Sequence, residues 1–174
     1  MKYFILSCFI LCSVLNSHAQ LTRSETIKYI HDKINDTEFL KRTYDSQFTY
    51  TLTDLSFKTS SSQPNKIVLS YKRNFSDNTI DYQEFTLLPQ YISSFEKSTE
   101  KAGDAVGLMK VIFTGPNVAS YFKSTNSTIY YTSKNHIFIP YLQGDPIHYE
   151  RLMKALQHLK TISLEILGND PFVN

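Results

Sequence analysis

Four side chains in the C-terminal part of the chain, His136, Asp145, His148 and His158, are of the types that bind zinc or exchange protons near neutral pH. Together they would suit a small hydrolase or metal-dependent enzyme in which His136 and His148 act with a carboxylate. The spacing does not build such a centre. On one helix, ten residues separate His148 from His158, about 15 Å along the axis, whereas direct zinc bonds are near 2 Å. No H-x-x-x-H or H-E-x-x-H pair occurs, no serine sits in a G-x-S-x-G elbow, and the glycines form no phosphate cradle. The expectation is therefore no catalytic residue, no metal and no cofactor, with hydrolysis through His136 and His148 as the alternative. Asp145 reads as a helix cap, His148 as the edge of an apolar stripe and His158 as a boundary residue.

The aromatic residues are the better lead. The chain has 12 Tyr and 12 Phe but no Trp. Tyr121, Tyr130, Tyr131, Phe138 and Tyr141 gather in the closing strands, and exposed Tyr offers apolar area with a hydrogen-bonding tip. Such a patch would bind a protein partner, a glycan or a small apolar ligand. The competing expectation is that the rings alternate between interior and ordinary surface.

Charge and cysteine usage narrow the partners. Lys2, the apolar run 4–15 and the small residues Ser17 and Ala19 read as a signal peptide over residues 1–19, cut between Ala19 and Gln20. The run is shorter than the ~20 residues a membrane helix needs, so no transmembrane anchor is expected after its removal. Both cysteines, Cys8 and Cys12, lie inside it. The exported chain, periplasmic or extracellular, then has no disulfide or thiol chemistry, and its core alone must hold it. Loss of Lys2 lowers the formal charge from +2 to +1, which argues against nucleic acid or an anionic membrane as an obligate partner. Residues 20–174 are one domain's worth of chain.

These residues must be positioned by the elements around them, above all by the stretch Asp145–Leu167. There Leu152, Leu156, Leu159, Ser163, Ile166 and Leu167 recur on one side at 100° per residue, and Asp145-Pro146 supplies a start. A long amphipathic helix follows, to be buried along that stripe. Near the other end, Ile27, Ile30 and Ile34 repeat at helical spacing behind a Thr22-x-x-Glu25 capping box, which predicts a helix from about Ser24 to Asn35. His31 falls off that stripe and reads as solvated.

Between the helices the period is 2. Phe48, Tyr50 and Leu52 alternate with threonines, then Leu55 and Phe57 continue one step out of phase, as a bulge at Thr53-Asp54 would produce. KIVLSYKRNF and TIDYQEFTLL extend this to a three-stranded meander, the latter with a second phase change before Phe85. Residues 90–105 give no clear period. GLMKVIFTG reads as a central strand, followed by VASYFK, STIYYTS and HIFIPYL, for six or seven strands in all. The fold class is α+β: an N-terminal helix, an antiparallel bent sheet or barrel, and a long C-terminal amphipathic helix packed on it.

That order of elements resembles the pleckstrin-homology-like superfold, a bent barrel plugged by its C-terminal helix. The pattern Arg151-Leu152-x-x-Ala155-Leu156-x-His158-Leu159 is similar to one that ends short, uncharacterised exported bacterial proteins. The resemblance implies an exported binding or structural module, because that fold serves lipid, peptide and purely structural roles. No basic cluster follows Lys58, where Ser60, Ser61 and Ser62 stand instead.

Overall fold

The computed structural model describes residues 21–44, 48–98, 103–125 and 127–168, without the side chains of 127–131. The expected signal segment and its cut between Ala19 and Gln20 lie outside the described residues. Helix α1 spans Arg23–Asn35. Its capping box is complete: Thr22 Oγ1 accepts from Glu25 N–H at 3.3 Å, and Glu25 Oε2 accepts from Thr22 N–H at 2.8 Å. The Ile27, Ile30 and Ile34 stripe is buried.

Among the described residues nine strands follow: β1 (Lys41–Thr43), β2 (Thr49–Thr59), β3 (Ile67–Phe75), β4 (Ile80–Leu87), β5 (Ile92–Lys97), β6 (Val106–Phe113), β7 (Val118–Ser124), β8 (Ser127–Lys134) and β9 (His136–Leu142). They form two antiparallel sheets, a six-stranded one ordered β1-β2-β3-β4-β7-β8 and a three-stranded one ordered β5-β6-β9. β2 to β4 form the expected meander, and β6 is central. The sheets are open, so the barrel expectation is corrected. β1 meets β6 only at a corner, where Ala105 N–H donates to the Lys41 carbonyl (3.4 Å) and Arg42 Nη1 to the Val106 carbonyl (2.5 Å).

The bulge in β2 lies where the alternation slips. Its register against β3 shifts between Thr53 and Ser56, and Asp54 has φ 55°. The second phase change, in β4, does not occur. β4 pairs with β3 and β7 without a break, and Asp81, Gln83, Phe85 and Leu87 face inward while Ile80 is exposed. A charged residue can stand on the inner face because Arg73, its cross-strand neighbour, bonds it at 2.6 Å. The Arg73 guanidinium is itself packed among Tyr44, Tyr50 and Phe75, with ring centroids 5.2–5.8 Å away.

In the smaller sheet Gly107 lies opposite Tyr141. A Cβ there would come within 2.2 Å of Tyr141 Cζ, so glycine is what lets the ring lie across the strand. That ring also packs edge-on against Tyr149 at 5.3 Å. Residues 89–97, which lack a clear sequence period, form a 3-10 turn (Pro89–Tyr91) and the edge strand β5.

Helix α2 spans His148–Gly168, and so begins two residues later than a start at Pro146 behind Asp145 suggests. Asp145 Oδ1 accepts from Ile147 N–H (3.0 Å) and makes a tight turn ahead of the helix. Leu152, Leu156, Leu159 and Ser163 are buried as expected, and Tyr149 is buried with them. The stripe then outruns its cover: Ile166 is 52% exposed. α2 packs on α1, on the 3-10 turn and on β9, while α1 also covers β2. No helix among the described residues is long and apolar enough to cross a membrane.

Candidate functional site

The uncovered last turns of α2 form one wall of a cavity of about 420 Å³, within the range of small-molecule sites. Its described lining comes from four separated pieces of chain: Arg23 at the start of α1, Pro64 and Asn65 in the β2–β3 turn, Gln90 in the 3-10 turn, and Ser163, Ile166 and Leu167 on α2. Each piece is held independently. Arg23 follows Thr22, the N-cap of α1, Gln90 follows Pro89 at the start of its turn, and Ser163 Oγ donates to the Leu159 carbonyl at 2.8 Å. That bond spends the Ser163 hydroxyl donor on its own helix, which leaves Arg23, Asn65 and Gln90 to supply polar recognition beside apolar Pro64, Ile166 and Leu167.

Arg23 is the unusual member. Its Nη2 is buried without a hydrogen-bond partner, and burial pushes the guanidinium pKa down from its ordinary value. The neighbouring acid is committed elsewhere, since Glu25 Oε2 accepts from both Thr22 N–H and Thr22 Oγ1. A cation in the first turn of a helix also faces the positive end of the helix dipole. The chain thus keeps a positive group where local electrostatics disfavours one. That conflict, together with the apolar run beyond Ser163, was the available sequence signal for this site; the Gln90 and Asn65 contributions had none.

The histidines do not converge. β9 carries His136 at its start and Leu142 at its end, about 20 Å apart at roughly 3.3 Å per residue. Leu142 N–H donates to His148 Nδ1 at 2.6 Å, so His148 belongs to the far end of that strand. His136 Nδ1 donates to Asn135 Oδ1 (3.0 Å) at the other end, and its pKa is lowered by burial and by Lys110 and Lys134. His158 Nε2 donates to the Leu21 carbonyl (2.8 Å), tying α2 to the segment before α1. His31 is not simply solvated: its Nδ1 accepts from Phe57 N–H (3.3 Å), joining α1 to β2. Among the described residues no three of His, Cys, Asp and Glu are placed to share a metal ion.

His148 is more buried than a stripe-edge position suggests, at 1% exposure. It is a clasp between α2 and β9, and its Nε2 faces Asp36 Oδ2 at 3.9 Å beside Lys33. Burial, reinforced by the Lys33 ammonium and opposed by Asp36 and Asp145, lowers its pKa below the ordinary 6.5. A folded pKa below the unfolded one means the unfolded chain takes up the proton first. The contribution of His148 is therefore complete above pH 6.5 and lost as pH falls from there toward the folded value. Urea unfolding between pH 7.5 and 5 is expected to show a falling midpoint, with a shallower slope in His148→Gln; equal slopes would remove His148 as the source.

Among the aromatic candidates with described side chains, Tyr121, Phe138 and Tyr141 do not share one surface. Tyr141 is 2% exposed and belongs to the core. Phe138, three residues earlier on the same strand, points to the opposite face and packs edge-on against His136 at 5.4 Å. Tyr121 lies in the other sheet, against Tyr82 at 5.8 Å. Tyr130 and Tyr131 pair through their backbones with Phe122 and Tyr121, and their side chains lie outside the described residues. Alternation across pleated strands separates Phe138 from Tyr141, which look clustered in sequence.

Comparison of the chain with protein-family models, with curated proteins and with solved structures finds no match.

Proposed function

We propose that this chain is an exported, non-catalytic binding module whose ligand site is the cavity between the two helices, the β2–β3 turn and the 3-10 turn. One observation carries the reading. The apolar stripe of α2 continues to Ile166 and Leu167 after the sheet and α1 have ceased to cover it, and these residues meet Arg23 and Gln90 around one concave space. A stripe built for burial and left partly open is a surface for an apolar ligand. The convergence of polar groups at its margin would orient that ligand.

Amide-resolved NMR with a neutral amphiphile, octan-1-ol, tests this. Saturable shifts are expected at Arg23, Gln90, Ser163, Ile166 and Leu167, and Ile166→Trp should abolish them by filling the space, without unfolding because residue 166 is exposed. Shifts that are absent, or centred on the sheet face around Tyr121, would overturn the assignment.

A further inference from the structure

The unpaired guanidinium says more about the ligand than the cavity walls do. Of the three arginines placed beside the core, two have acidic partners: Arg73 bonds Asp81 at 2.6 Å, and Arg42 stands 3.9 Å from Asp104. Arg23 differs. Its Nη2 is out of solvent, its acidic neighbour Glu25 is occupied by Thr22, and no other charged side chain appears in the described lining of the cavity. Arg23 is half-buried, and a guanidinium nitrogen taken out of water without a hydrogen-bond partner is costly, while the planar fork matches a carboxylate through two parallel N–H bonds. A single cation also sets the charge of what it holds. A phosphate monoester, at about −1.5 to −2, would remain undercompensated in this lining, whereas a carboxylate is matched.

We propose that the ligand is a monocarboxylate with an apolar tail, its carboxylate paired with Arg23 and its tail lying on Pro64, Ile166 and Leu167. This rests on the cavity being the ligand site. Asn65 and Gln90 flank the head and supply neutral donors, and Ser163 closes the floor where tail and head meet. The positive end of α1 adds to the same preference.

The test compares octanoate, octan-1-ol and octyl phosphate as probes, using the protein produced from the full chain and the same amide shifts. Octanoate is expected to bind about ten- to a hundredfold more tightly than octan-1-ol, the span of a charge-assisted hydrogen bond, and more tightly than octyl phosphate. Arg23→Gln should remove the octanoate preference, so that octanoate and octan-1-ol bind alike. Arg23→Lys, which keeps charge and loses the fork, should retain part of it and serves if the Gln variant does not fold. Equal binding of octanoate and octan-1-ol, an octanoate preference that survives Arg23→Gln, or stronger binding of octyl phosphate would overturn the carboxylate assignment while the cavity reading stands. If neither octan-1-ol nor octanoate shifts the cavity residues, the cavity reading itself fails.

Discussion

Leu152→Asp is expected to leave the chain without a cooperative folded state at 25 °C. Leu152 is fully buried where α2 crosses the core, with Leu156 and Leu159 in line along the same face. Truncating a buried Leu costs about 2–5 kcal/mol, and an unpaired carboxylate in that position adds several more, or binds a proton to avoid them. The sum is comparable with the ~5–15 kcal/mol that holds an ordinary domain together. Leu164→Asp is the matched control, about three helical turns further along the same element but 48% exposed; its effect should stay within about 0.5 kcal/mol. Far-UV circular dichroism and thermal melting of the two variants separate burial from helix propensity. A soluble Leu152→Asp protein with a sharp melting transition would mean that α2 does not close the core as described.

That contrast also marks how far the sequence was readable. Leu152, Leu156 and Leu159 announce burial because a helix repeats its inner face every 3.6 residues, and the bulge at Asp54 shows because a strand's period of 2 makes any slip visible. The signal fails where an interior position is filled by a polar residue. Asp81 looks like an outward residue until Arg73 is seen beside it, and this pairing is what misplaces the phase of β4. β1 has three residues and β5 reads Ile-Ser-Ser-Phe-Glu-Lys, so neither carries enough alternation to be distinguished from loop. His148 looks like a stripe edge because its partner, the Leu142 amide, is a backbone group that no sequence pattern displays. The candidate site is harder still. Arg23, Asn65, Gln90 and Ile166 are adjacent only after the sheets have formed and α1 has packed on α2, and no local period connects them. The legible traces are the apolar run of α2 beyond Ser163 and a misfit, an arginine at the positive end of a helix, and such breaches of a local rule are where function is to be sought.

The other large effect is expected at the corner where the two open sheets meet. Asp104, just before β6, reaches across to β1: its Oδ1 accepts from Thr43 N–H (2.9 Å) and Thr43 Oγ1 (2.7 Å), and its Oδ2 lies 3.9 Å from Arg42 Nη1. The Asp104 and Arg42 side chains are 4% and 8% exposed. Since no continuous ladder links β1 to β6, these polar groups do at the corner what backbone pairing does elsewhere. Asp104→Ala removes the acceptor of two Thr43 donors and the nearest negative charge to a buried guanidinium. Breaking a buried pair from one side costs about 3–5 kcal/mol, because the remaining charge stays desolvated. At about 2–4 °C per kcal/mol for a chain of this length, the melting temperature should fall by roughly 6–20 °C. Arg42→Met has a smaller expected cost, as its long apolar stem can be replaced by packing. Combining it with Asp104→Ala should be less damaging than adding the two separate losses, since the second substitution removes the very charge that the first had stranded. Strict additivity in a urea double-mutant cycle would show that Arg42 and Asp104 act independently, and the corner would then be held by Thr43 and the Val106 carbonyl alone.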